Sequence, residues 1–421
     1  MNILLRQALI LDPASVFHQQ HTDLHIRDGI IQAIGNDLAI SNATIVDLPG
    51  LCVSTGFTDI FTSLCDPGYE HKETLQTGAA AAAAGGYTDI FSLPNTQPAV
   101  HNRAAVEYLV QGARFLPVSV HPIGAVTKNI EGKELSEMYD MRNSGALAFG
   151  DGTSAIQPSG ILLKALQYLK AIDAVLIQVP DDKSISAHGL MNESVVSTQM
   201  GLAGKPAIAE ELMISRDIKL VRYTGGKIHF TGISTAKSLH LVRKAKEEGL
   251  AVTCSVTPYH LYFTEEDLQG YDTNLKVNPP IRSAADRDAL RQGVLDGSID
   301  CIASHHQPHE KDSKIVEFEY ARNGMTSLET AFGVVRTAVP DITATRLAEL
   351  FSTNAREIFG LQRAGITENA PASLTLFQMD AVWQVNVSDT RSKSVNTPFH
   401  GQSLKGKIAG IINKGQIILN K

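Results

Sequence analysis

The sequence predicts an α/β protein, a (β/α)8 TIM barrel with a small β-sandwich-like domain formed by both chain ends, and three observations carry that reading. Across residues 51–365, apolar strand-like runs alternate with helix-like runs eight times, the rhythm of a parallel barrel rather than of stacked hairpins. Residues 1–50 and 366–421 instead show short alternating runs divided by turn pairs such as Asp28-Gly29 and Gly35-Asn36, the pattern of a small composite β domain. A hydrophobic content of 43% in 421 residues is enough for one large core.

Taken in order, the first β runs are Ile3 to Leu11, Thr22 to Ile26, Ile30 to Ile34 and Thr44 to Asp47. The eight barrel strands follow as Leu51 to Ile60, Tyr87 to Pro94, Pro117 to Val126, Ala146 to Gly150, Ala174 to Val179, Lys227 to Ile233, Ala251 to Thr257 and Ile299 to Ser304. Between the first two, Gly68 to Gly86 reads as a crossover helix closing on an alanine run and a glycine pair. Ser234-Thr235 caps another helix, with Ala236, Leu239, Val242 and Ala245 at helical spacing and Gly249 as its stop. Ala284 to Leu295 gives a further helix and Thr343 to Phe359 a terminal one. The chain then returns to short strands: Ser373 to Phe377, Val382 to Val387, Gly406 to Ile412 and Gln416 to Leu419.

A net charge of -7 with scattered Lys and Arg argues against nucleic acid or an anionic membrane as partner. The N-terminus runs straight into a strand-like pattern with no leader signature, and no apolar run approaches the roughly eighteen residues of a membrane helix. Cys52, Cys65, Cys254 and Cys301 lie far apart without a CxxC pair. They read as reduced thiols of a cytoplasmic protein.

In a barrel of this kind the chemistry collects at the carboxyl ends of the strands. Those ends read Asp59-Ile60-Phe61-Thr62-Ser63-Leu64-Cys65-Asp66-Pro67-Gly68, Leu93-Pro94-Asn95-Thr96, Phe149-Gly150-Asp151-Gly152, Gln178-Val179-Pro180, His229-Phe230-Thr231-Gly232-Ile233-Ser234-Thr235 and Ser304-His305-His306-Gln307-Pro308-His309. With Thr257-Pro258-Tyr259-His260-Leu261 and Asn278-Pro279-Pro280-Ile281-Arg282, they resemble dihydroorotase of the long-chain bacterial type, in the amidohydrolase superfamily. The resemblance runs from end to end.

What the resemblance implies is specific. The family's zinc-ligand positions fall on Phe61, Ser63, Asp151, Gln178, Gly232 and His305, of which only Asp151 keeps the family's residue. His305 stands where the family has the aspartate that is ligand and general base. Cys65 takes the place of the substrate-gripping arginine, whose bidentate guanidinium is the strongest carboxylate anchor. Asn95, Asn278 and His309 match substrate-contacting residues, and Asn323-Gly324 a backbone contact.

Catalytic zinc takes at least three protein ligands and lowers the pKa of its water to about 7. The sequence therefore leads to the expectation of no bound metal or other cofactor and no turnover. By resemblance, the chain is expected to be an oligomeric structural or regulatory partner of aspartate carbamoyltransferase in pyrimidine biosynthesis. Two other readings stand beside it. One is an active cyclic amidohydrolase opening dihydroorotate to carbamoyl aspartate at an altered site, through Asp151 and the cluster His305, His306, His309 and His260; the bland reading of that cluster is polar lining. The other is a ligand sensor using Asn95, Asn278 and His309. Lys128 and Lys276 read as surface or loop-anchoring groups.

Overall fold

The structure is a computed structural model and describes residues 1–362 and 365–420. Eight parallel strands follow one another in chain order around a barrel: Phe57–Thr62, Tyr87–Ser92, Ser119–Gly124, Ala148–Phe149, Val175–Gln178, Lys227–Phe230, Val252–Val256 and Cys301–Ile302. Every residue of the first two is buried, as expected where one face fills the barrel and helices cover the other. A bridge between Thr62 and His306 brings the eighth strand back to the first, and the Ser63 N–H donates to His306 O at 2.9 Å.

The stretch Leu51 to Ile60, expected as one strand, is two. Leu51–Thr55 belongs to the terminal sheet, parallel to Asn2–Leu11 and antiparallel to Leu374–Gln384. Phe57–Thr62 opens the barrel. Gly56 makes the transfer: its N–H donates to Ser373 O at 2.9 Å, and a Cβ there would lie 2.0 Å from Thr88 Oγ1. A fully buried apolar run carries no period that would reveal such a handover.

The terminal sheet also has eight strands, drawn from both chain ends. The hairpin at its edge pairs Asn413 with Gln416, with Lys414 at φ 48° and Gly415 at φ 72°, the left-handed pair that a tight hairpin requires. Where the sheet meets the barrel, Phe57 lies 5.1 Å from Phe351, 5.7 Å from Phe377 and 5.8 Å from Phe332, ring centre to ring centre. Phe377 comes from the sheet and the other three from the barrel side, so one aromatic core joins them.

Among the helices, Ala236–Glu247 starts where Thr235 accepts the Ser238 N–H, and Ala284–Asp296 where Ser283 accepts that of Asp286. The terminal helix runs from Ala344 to Ile358 as expected, with its middle, Glu349–Thr353, widened into a π-helical turn. That turn brings Ser352 Oγ within 2.8 Å of Gly56 O, a local fit that spacing alone does not encode. The four cysteines are free and buried. Among the described residues no helix is long and apolar enough to cross a membrane.

Closure rests on Asp59. Its Oδ1 accepts the Ser304 N–H at 2.6 Å, and its Oδ2 accepts the Ser304 hydroxyl at 2.8 Å and that of Thr62. Strand one is thereby tied to the end of strand eight inside a fully buried seam. Asp59→Ala leaves the Ser304 N–H without its acceptor and is expected to cost about 1–3 kcal/mol. The urea midpoint will fall accordingly, and Asp59→Asn, which keeps one acceptor, will lose less.

Candidate functional site at the barrel mouth

A cleft of about 340 Å³ opens at the carboxyl ends of the strands. Phe61, Ser63 and Cys65 after the first strand, Asn95 after the second, and Asn278, His309 and Asn323 from later loops share its wall. The structure thus brings together most of the residues singled out for substrate contact. It does not bring Asp151, Gln178 and His305 into that wall.

Each of the three is occupied elsewhere. Asp151 accepts the Thr127 N–H and hydroxyl at 2.9 and 2.6 Å, one on each carboxylate oxygen, and burial raises its pKa. Gln178 accepts the Ile156 N–H at 3.2 Å and donates to Asp217 at 2.9 Å. Burial pushes the Asp217 carboxyl up to about 6. His305 lies under Phe61, the two rings stacked at 4.2 Å. Its Nε2 meets Thr231 Oγ1 at 2.8 Å, and from there hydrogen bonds continue through Ser255 to His229 and Thr253. Burial pushes the His305 imidazole down to about 3, so the ring is neutral near pH 7.

Gly232 completes this arrangement. It sits at φ 68°, and a Cβ there would be 2.6 Å from His305 Cε1. The space beyond its Cα is filled by the His305 ring. Zinc requires three or more donors converging at about 2.0–2.3 Å. Among the described residues no three His, Cys, Asp or Glu side chains are grouped so as to hold an ion, and the six family positions do not fit such a centre.

The other histidines divide. His260 is enclosed, its Nδ1 2.7 Å from Thr257 Oγ1 and its Nε2 donating to Pro280 O at 3.1 Å; burial pushes it down to about 4. His306 accepts the Ser327 N–H on Nδ1 at 3.1 Å, and its Nε2 lies 3.5 Å from Glu73 Oε2. His309 does line the cleft. Its Nε2 donates to Asn323 O at 2.8 Å, which leaves Nδ1 as a buried acceptor with no partner. Burial pushes this ring down to about 4, so the lone pair is available at neutral pH.

Asn95 holds its own loop: Nδ2 donates to Asp151 O at 3.3 Å and Oδ1 accepts the Thr153 N–H at 3.0 Å. Gly324, at φ 123°, donates its N–H to Lys276 O at 2.8 Å. Lys276 anchors a loop through Phe318 O and Glu319 O, both at 2.7 Å, and Lys128 pairs at the surface with Glu134.

Sequence reasoning missed the charge of the cleft. Lys72, Lys183 and Arg322 line it, and none of its lining residues is a carboxylate. Beneath Lys183 lies a buried pair: Asp181 Oδ2 is 2.6 Å from Lys183 Nζ and 2.7 Å from Lys205 Nζ. Burial alone would raise the Asp181 pKa, but attraction to Lys205 and hydrogen bonds from both lysines hold it down at about 2. Three lysines and an arginine dispersed over more than 240 positions give no local pattern; only Lys72 stood within a family-like run, Glu70 to Glu73.

Two predictions come from this packing. Gly232→Ala forces a side chain against the His305 ring in a left-handed backbone, at an expected cost of about 1–3 kcal/mol in thermal or chemical denaturation. The second concerns acid. Burial holds His229 and His305 at about 3, and His260 and His309 at about 4, whereas the ordinary value is 6.5. Between 6.5 and those values the unfolded chain binds more protons than the folded one, so stability falls as pH falls. Denaturant midpoints measured from pH 7 down to about pH 4.5 will show the loss beginning just below 6.5; a midpoint flat to pH 5 would contradict it.

The comparisons with known proteins place this geometry. A family model described as Dihydro-orotase-like matches residues 50–238. A dihydroorotase of Syntrophus aciditrophicus is 38% identical over 423 residues, covering 99% of each chain. One of Caldanaerobacter subterraneus is 39% identical over 425 residues, covering 100% of this chain and 98% of the relative. Among solved structures, the L-hydantoinase of Arthrobacter aurescens superposes with a TM-score of 0.86 at 22% identity, covering 100% of this chain and 96% of the other. The dihydropyrimidinase of Brevibacillus agri gives 0.83 at 20% identity, with 100% and 95% covered. At those identities the likeness shows the fold alone.

Proposed function

This chain belongs to the dihydroorotase family, and from that premise we propose that it is a cyclic amidohydrolase, opening dihydroorotate to carbamoyl aspartate and closing it again, at an altered site. Two expectations are corrected by the membership. An inactive chain was expected from the eroded ligand positions; relatives named dihydroorotase align with it over its whole length, which favours an enzyme. The absence of any cofactor was expected for the same reason; dihydroorotases and hydantoinases are metal-dependent, and the donor set described above does not fit the family's centre. The roles below therefore belong to this chain's side chains alone.

Hydrolysis of a cyclic amide adds water at the carbonyl carbon and breaks the C–N bond, leaving a carboxylate and an amino or ureido nitrogen on the one opened chain; one proton of the water goes to that nitrogen and the other to solvent. Both forms of the substrate are anions with ring or chain N–H groups. The cleft suits that chemistry. Lys72, Lys183 and Arg322 line the wall and no carboxylate does; Asp181 and Glu310 pair with Lys183 and Lys72 from behind it, at 2.6 and 3.8 Å, so the surface a ligand meets is cationic and favours anions. His309 Nδ1, buried without a partner, is an acceptor for a ligand N–H; pairing it recovers a desolvation cost already incurred. Phe61, stacked on His305, forms an apolar floor.

The observation that carries the reading is the end-to-end identity to dihydroorotases together with this carboxylate-free cationic cleft. The test is ring opening and ring closure by the purified protein, followed by the absorbance of dihydroorotate, with metal content measured and zinc, cobalt or manganese added in parallel. Turnover above the enzyme-free rate in either direction is expected. Unchanged dihydroorotate and carbamoyl aspartate under every metal condition would end the proposal. His309→Ala is expected to raise KM about tenfold, the equivalent of 1.4 kcal/mol of lost binding.

A further inference from the structure

We propose that the ligand's carboxylate is received at the Lys183 and Asn278 wall of the cleft, and that buried Lys205 is the positioning residue that presents it. The inference rests on the cyclic amidohydrolase reading and deepens it, because the position expected to anchor a carboxylate carries Cys65, which cannot make a bidentate, charge-assisted contact.

The geometry runs from the inside outward. Lys205 is 6% exposed and its ammonium donates to Asp181 Oδ2 at 2.7 Å and to Asn278 Oδ1. An ammonium has donors only, so the oxygen of the Asn278 amide must face Lys205. The Nδ2 end is thereby turned away from Lys205, and Asn278 lines the cleft; the side chain offers donors where a freely rotating amide would offer donor or acceptor indifferently. The same Asp181 oxygen takes Lys183 at 2.6 Å. Asp181 is thus shared by two ammoniums, and Lys183, half exposed, carries its own to the cleft surface. Arg282, also buried, donates to Lys205 O at 2.9 Å and faces Glu210 at 3.8 Å, so it fixes the backbone of this wall. Two N–H donors beside an ammonium make a receptor for a carboxylate.

The test uses the full-length protein and calorimetric titration of dihydroorotate and of its methyl ester, which keeps the ring and removes the charge. Wild type is expected to bind the acid at least tenfold more tightly than the ester. Lys183→Met, a change at a half-exposed position, is expected to cut that preference to under threefold. Lys205→Met is expected to do the same, and to weaken acid binding no further when combined with Asn278→Ala than Asn278→Ala does alone, since both act through one amide. Ester binding should be the same in all variants, which a merely structural defect would not leave intact. If wild type binds neither compound, the cyclic amidohydrolase reading fails and this one with it. If wild type binds both equally, or binds the acid preferentially and Lys183→Met and Lys205→Met keep that preference, the carboxylate sits elsewhere and only this inference falls. Additive losses for Lys205→Met and Asn278→Ala would likewise remove Lys205 from the positioning role.

Discussion

The seam between the first and eighth strands is the constraint on which the rest of the molecule depends. A barrel offers a site only if its ring closes, and here the closing strand contributes just Cys301–Ile302 to the sheet. Two residues of ladder are a weak fastening. Asp59 makes up the deficit by accepting both the N–H and the hydroxyl of Ser304 within a buried seam, while His306 O takes the Ser63 N–H one step further out. Those contacts set where Phe61, Ser63 and Cys65 on one side, and His305 and His309 on the other, meet across the mouth. The aromatic group around Phe57 then locks the terminal sheet onto the outside of the same strand.

Above the seam, the mouth has been rebuilt rather than emptied. Phe61 stacks on His305, and the ring of His305 occupies the space a side chain at Gly232 would need. Asp151 and Gln178 have partners within their own loops and helices. Both Asp151 oxygens, the Gln178 amide and His305 Nε2 are thus satisfied internally, which is what permits them to be buried. Lys72, Lys183, Arg322, Asn278 and His309 line the cleft, and the His309 ring holds a buried nitrogen without a partner just behind the wall.

The strongest lesson about inference from residues comes from the same mouth. Reading Phe61, Ser63 and Gly232 as missing ligands led to an inactive, metal-free chain, and full-length relatives named dihydroorotase overturned that conclusion. A residue list says which donors are absent from expected places. It does not say what else has been brought to the site.

The sequence by itself determined the architecture: the eightfold alternation, the cap at Thr235 and the return to short strands at the chain's end are local signals, legible because period and cap chemistry act over a few residues. The family resemblance singled out Asn278, His309 and Asn323, which line one cleft. The tertiary structure alone decided that Leu51 to Ile60 is divided at Gly56, that His305 hides beneath Phe61, and that Lys205 turns the Asn278 amide. Each of these is a contact between residues 73 to 318 positions apart, and such contacts follow from packing and hydrogen-bond satisfaction in three dimensions, which no window along the chain contains.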